Sequence, residues 1–155
     1  MALEIERKYL VINDKWKSSV ESQTVMKQGY LATVANASIR VRVARDKALL
    51  NIKSATLGIR RSEYEYEIPL ADAEEMLADL VQGAVIDKVR YEVRCGNHLW
   101  ELDVFHGDNE GLIVAELELS SEDESFEMPE WAGQEVSGDP RYYNASLVKH
   151  PYCDW

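Results

Sequence analysis

Glu4-Ile5-Glu6-Arg7-Lys8 sets two carboxylates and an ammonium at alternating positions near the start of the chain. Alternate residues of a β-strand share a face, so Glu4, Glu6 and Lys8 point the same way. Two acids and a base on one face build no apolar core, but they suit a metal ion held beside a phosphate. The same alternation returns repeatedly. Arg40 and Arg42 share a face in Ser38 to Val43, and Lys53 follows in Leu50 to Lys53. Arg61, Glu63 and Glu65 form the next set, then Lys88, Arg90 and Glu92, then Glu101 and Asp103, then Glu116 and Glu118. The residues between them are mostly apolar: Ile5, Ile39, Val41, Val43, Ile52, Tyr64, Val89, Tyr91, Leu102, Val104, Leu117 and Leu119.

For a single strand the ordinary reading is amphipathic, with the apolar face on the core and the charges in water. The whole set argues otherwise, because the polar face is almost wholly Glu, Asp, Arg and Lys, with cations gathered on some strands and acids on others. A closed sheet with its charges inside would set these groups against one another. Several cations in one cavity need an anion or acidic partners to compensate their lost hydration. Such a lumen suits a polyanion held together with a divalent cation.

The motif Glu4-x-Glu6-x-Lys8 resembles the signature of the CYTH superfamily, the triphosphate tunnel metalloenzymes. Gln28-Gly29-Tyr30-Leu31 resembles that family's second-strand motif. Ile39 to Arg42, Ile52-Lys53, Arg61-x-Glu63-x-Glu65, Lys88-x-Arg90, Glu101-x-Asp103 and Glu116-x-Glu118 fall in the family's order. Glu135-Val136 and Asp139 to Asn144 resemble its closing segment. The resemblance covers nearly the whole chain. It implies an α+β, mainly antiparallel β fold: a closed eight-stranded tunnel barrel with a charged lumen and a few covering helices, as barrel geometry allows. It also implies action on a small-molecule triphosphate with Mg2+ or Mn2+, and it suggests a homodimer.

The resemblance carries residue roles. Lys8, Arg40, Arg42, Lys53, Lys88 and Arg90 match the phosphate-binding set, as suits guanidinium forks and compact ammonium charges. Arg61 is expected as a further phosphate ligand or as an ion-pair partner, and Tyr30 as a substrate contact or a packing residue. Glu116 and Glu118 match the main metal ligands, with Glu63, Glu65 and Asp103 as further metal-side acids. Glu4 and Glu6 match the acids that position a second metal or the attacking water, one of them expected to orient or deprotonate it, and Glu67, Glu92 and Glu101 are read as ion-pair partners. The function implied is a metal-dependent tripolyphosphatase; the alternatives are a class IV-type adenylate cyclase, a thiamine or nucleoside triphosphatase, or a non-catalytic polyphosphate-binding module.

Composition fits this frame. A chain of 155 residues, 46% hydrophobic and 29% charged, reads as one globular domain over 1–155. The net charge of −11 argues against a nucleic-acid footprint, and the acid excess lies largely outside the cationic strands. No apolar run approaches the ~20 residues of a membrane-spanning helix, and the start carries no secretory pattern. Cys95 and Cys153 lack metal or redox spacing and read as reduced thiols of a cytoplasmic protein.

The expected elements are strands near 3–11, 24–34, 38–45, 48–54, 61–69, 85–94, 98–106 and 112–120. A short helix is expected near 14–21. A helix near 71–81 carries the stripe Ala73, Met76, Leu77, Leu80 and Val81 and is stopped by Gly83. Ser121 with Glu124 reads as a capping box opening a short helix, and Asp139-Pro140 opens one near 140–148. Trp100 falls on the outward face of its strand. It is expected to meet a partner chain or a covering helix.

Overall fold

The computed structural model describes residues 3–56 and 58–155. Eight antiparallel strands close into a barrel: β1 (Leu3–Val11), β2 (Val20–Thr33), β3 (Ala37–Ala44), β4 (Lys47–Ser54), β5 (Arg60–Ile68), β6 (Gln82–Cys95), β7 (His98–Phe105) and β8 (Ile113–Glu118). The order round the wall is β5-β4-β3-β2-β6-β7-β8-β1, and pairing of β1 with β5 closes it. Closure removes the unpaired edges that an open sheet would leave.

Register makes the wall two-sided. Lys8 lies opposite Glu116, Glu6 opposite Glu118, Arg90 opposite Asp103, Lys53 opposite Glu63 and Glu4 opposite Arg61. Directly paired residues share a face, so the charged positions of all the strands converge on the lumen. Each intervening apolar residue then points outward, and the hydrophobic core lies outside the barrel.

Two covers bury that outer surface, and a third closes one end of the barrel. Helix α1 (Leu70–Asp79) sets Ala73 on Val41 and Ala48, flanked by Met76 and Leu77. A 3-10 turn over Lys15–Ser19 brings Trp16 onto the second face, where Trp100, Leu102, Ala115 and Leu117 are packed. The irregular stretch after β8 adds Phe126 and Trp131, whose rings meet Trp100 edge-on at centroid distances of 5.9 and 5.4 Å. Trp100 is therefore fully buried by its own chain, neither by a long helix nor by a partner. Phe126→Ala should cost about 1–2 kcal/mol by uncovering part of this face. A urea titration would show it.

The third cover differs in kind. Beyond β8 the chain forms a ninth strand, β9 (Ala132–Glu135), on the far end of β1, then runs through a 3-10 turn (Pro140–Tyr142) into the short helix α2 (Asn144–Leu147). Tyr30, Ile86, Phe105 and Val114 face inward at one end of the barrel, and Leu147 and Val148 pack onto them. The expected helix over 140–148 is thus split, because Tyr143 is extended at φ −71°, ψ 136°. The expected capping-box helix at Ser121 is only a turn. Glu124 gives one oxygen to the Ser120 N–H at 2.7 Å and the other to His98 Nε2 at 2.6 Å. Gly83 does not end α1, which stops at Asp79. Its role is close approach, at φ +70°, where a Cβ would collide with the Val148 carbonyl oxygen.

Candidate active site

The lumen holds a cavity of about 440 Å³. Its lining includes Glu4, Glu6, Lys8, Tyr30, Arg40, Arg42, Lys53, Arg61, Glu63, Glu65, Lys88, Arg90, Glu116 and Glu118. Every expected site residue except Asp103 therefore reaches one space. On the rim, Thr33, Ala37, Ser38, Ser54, Ala55 and Thr56 are small and uncharged.

The cations divide into held and unheld. Lys88 is 1% exposed and donates to Asp103 Oδ2 at 2.8 Å. Arg90 grips the same carboxylate as a fork, Nε to Oδ1 at 2.8 Å and Nη2 to Oδ2 at 3.0 Å, and also reaches Glu101 at 3.0 Å. Lys53 bridges Glu4 at 3.1 Å and Glu63 at 3.4 Å, and Lys8 lies 3.6 Å from Glu116. Arg40, Arg42 and Arg61 make no ion pair among the described residues. Arg40 Nε is buried with no hydrogen-bond partner. Arg42 Nε donates to Gln28 Oε1 at 2.7 Å, and Arg61 lies over the Tyr143 ring at 4.5 Å from its centroid. Of the two roles expected for Arg61, ion pairing is not the one observed. Desolvation, then the charges of Arg40 and Arg90, push the Arg42 guanidinium down to about 9, and burial pushes the Lys88 ammonium down to about 7 although Asp103 opposes it. Cations crowded to this degree are arranged for an anion that the protein itself does not supply.

The acids show the mirror image. Glu6, Glu101 and Glu116 each bring one carboxylate oxygen within 4.8 Å of the others. Burial and the neighbouring Glu116 charge hold the Glu6 carboxyl well above the usual range. Burial and a hydrogen bond with Glu63 raise Glu4 to about 7. Carboxylates forced to hold protons beside one another are relieved by a cation, and hard oxygen donors suit Mg2+ or Mn2+.

The grouping differs from the expected one. Glu101, read as an ion-pair partner, does pair with Arg90 but also belongs to the carboxylate cluster. Asp103, read as a metal-side acid, is on the inward face but fully buried beneath Lys88 and Arg90, which take both its oxygens. Glu63, Glu65 and Glu118 line the cavity outside the cluster, and Glu65 accepts from Asn51 at 3.2 Å. Sequence reasoning gave no role to Gln28, Asn51, Ser137, Tyr143 or Asn144, which also line or brace the lumen. The closing-segment resemblance included Tyr143 and Asn144, yet nothing in the charge alternation marked them.

The pattern that defines the CYTH domain matches residues 2–152. An inorganic triphosphatase of Acetivibrio thermocellus is 47% identical over 152 residues, covering 98% of this chain and 97% of its own length. An inorganic triphosphatase of Nitrosomonas europaea is 36% identical over 149 residues, covering 94% of this chain and 96% of its own. A crystal structure of an inorganic triphosphatase superposes with a TM-score of 0.68 at 35% identity, over 96% of this chain and 95% of that one. A Pyrococcus horikoshii protein shares the fold at 18% identity, with a TM-score of 0.61 over 77% of this chain and 80% of its own.

Proposed function

The chain belongs to the CYTH domain family, and from that premise we propose that it is an inorganic triphosphatase, a metal-dependent hydrolase that cleaves tripolyphosphate to pyrophosphate and phosphate. The observation that carries this reading is the divided lumen: unpaired guanidinium groups on one side of a single cavity and a cluster of carboxylates on the other. A module that only bound polyanions would gain nothing from Glu6, Glu101 and Glu116.

Arg40, Arg42 and Arg61 have free forks for phosphoryl oxygens, with Lys8, Lys53, Lys88 and Arg90 supplying charge around them. Glu6, Glu101 and Glu116 would hold Mg2+ or Mn2+. When bound, the ion neutralises phosphoryl charge and polarises the terminal phosphoryl group. Of the two acids expected to act on water, Glu6 belongs to that cluster; Glu4 stands outside it, held by Lys53 at 3.1 Å, and would orient the attacking water. The water oxygen would bond to the terminal phosphorus as its proton passes to the Glu4 carboxylate, the bridging P–O bond would break, and pyrophosphate would leave. Catalysis in this scheme is mostly positioning and charge neutralisation.

Among the described residues no helix is long and apolar enough to cross a membrane. Cys95 and Cys153 are not bonded to each other, which suits a reducing compartment such as the cytoplasm. A homodimer would have to pair elsewhere than over Trp100, which its own chain covers.

The test is phosphate release from tripolyphosphate with Mg2+ or Mn2+. Chelator should abolish it, and pyrophosphate should turn over far more slowly, being too short to engage cations on several strands at once. Turnover that ignores chelation, or equal rates for the two anions, would overturn the reading.

A further inference from the structure

One side chain from outside the barrel strands sits at the centre of the cation wall. Asn144 Oδ1 accepts from Gln28 Nε2 at 2.7 Å and from Lys88 Nζ at 3.1 Å. Gln28 Oε1 in turn accepts from Arg42 Nε at 2.7 Å. The Arg42 end of this chain is a donor only, since a guanidinium cannot accept. That fixes both amides. Arg42 must meet the Gln28 oxygen, so the Gln28 nitrogen faces Asn144. The Gln28 nitrogen then needs an oxygen there, so Asn144 cannot be flipped.

The consequence falls on the other half of the Asn144 amide. Asn144 is 8% exposed and lines the cavity. Its Nδ2 has no protein acceptor among the described residues, and it is not one of the buried atoms sealed away without a partner. Its carbonyl is locked by two donors, so the two N–H groups lie on the other side of the amide and are the half of this cavity-lining side chain left for a ligand.

We propose that Asn144 is a substrate-binding residue that donates a neutral hydrogen bond from Nδ2 to a phosphoryl oxygen, and that Gln28 positions it. This rests on the triphosphatase reading above. A neutral donor can approach an anion between two cations without adding to their mutual repulsion, which a further lysine could not do. It also ties the C-terminal segment to the substrate. That segment already contacts Lys8, whose ammonium donates to the Tyr142 carbonyl at 3.1 Å, and Arg61 through the Tyr143 ring.

The experiment compares wild type with Asn144→Ala, Asn144→Asp, Gln28→Met and the Asn144→Ala/Gln28→Met double variant. The readouts are tripolyphosphate kinetics, calorimetric binding in chelator and thermal melting. Asp at 144 keeps an acceptor for Lys88 and Gln28 but has no N–H. Both Asn144 variants should lose about 10- to 100-fold in tripolyphosphate affinity, the range for a hydrogen bond to a charged group, while Asn144→Asp melts no lower than wild type. Gln28→Met should weaken binding in the same direction, and the double variant should lose less than the sum of its parts. Wild-type affinity in either Asn144 variant, or strict additivity in the double variant, would overturn the proposal. A wild-type protein with no tripolyphosphatase activity would instead overturn the function on which it rests.

Discussion

Glu116→Gln is expected to lower tripolyphosphate turnover by about 10²-fold or more, since losing metal-assisted charge stabilisation forfeits several kcal/mol of barrier lowering. Glu116 is the member of the carboxylate cluster in the deepest surroundings, 7% exposed, where burial would raise its pKa but Lys8 and Arg90 hold it well below the usual range. It is therefore the member of the cluster whose charged form the surrounding cations favour, whereas burial and the Glu116 charge disfavour that of Glu6. Glutamine keeps the shape and one acceptor oxygen but removes that charge. Stability should change little, because the ion pairs of Glu116 with Lys8 and Arg90 are both long at 3.6 Å, and Arg90 keeps Asp103 and Glu101. Steady-state rates across a metal titration, with melting curves alongside, would read both effects. Glu118→Gln should cost less, since Glu118 is exposed and lies outside the cluster. A Glu116→Gln enzyme with wild-type turnover would take this carboxylate out of the reaction.

The barrel and its lumen were legible because the charged positions keep a period of two within each cationic or acidic strand, the register shifts falling in β2 and at the end of β1. Arg90 and Asp103, or Lys8 and Glu116, face each other across strand pairs as the alternation required. Alternation reports the face and says nothing of depth along the barrel. Glu101 and Asp103 share the inward parity, yet the short Asp103 sits behind Lys88 and Arg90 while the longer Glu101 reaches the carboxylate cluster. The C-terminal segment was illegible for another reason. Ala132-Gly133-Gln134-Glu135 has little strand propensity, and pairing with the far end of β1 makes it a strand. Ser137 and Tyr143 enter the lumen from irregular backbone, and Asn144 from the first residue of the four-residue α2, a stretch too short to carry a readable period. The cover over Trp100 is similar, since Phe126 and Trp131 act from a stretch without repeat.

Asp103 carries the largest stability consequence. Its two oxygens take short hydrogen bonds from two buried cations, Lys88 and Arg90, and it is 0% exposed. Desolvation alone would raise its pKa; the adjacent Arg90 and Lys88 charges outweigh that and hold it below the usual carboxylate range. Asp103→Asn leaves an oxygen for one of the two cations but turns an N–H donor toward the other, which is itself only a donor. Breaking a buried pair from one side costs about 3–5 kcal/mol, because the remaining charge is stranded. At this chain length that corresponds to a melting temperature lower by about 10 °C or more. Tripolyphosphate should then do what Asp103 no longer does. A polyanion placed among cations that have lost their counter-charge binds the folded variant more tightly, and ligand that binds only the folded state stabilises it by mass action. The ligand-induced rise in melting temperature should therefore be larger for Asp103→Asn than for wild type, with chelator present so that turnover does not consume the ligand. An unchanged melting temperature would mean that Asp103 is not the counter-ion of the cation wall. A variant destabilised as expected but gaining no more from tripolyphosphate than wild type would mean that the stranded charges do not face the substrate.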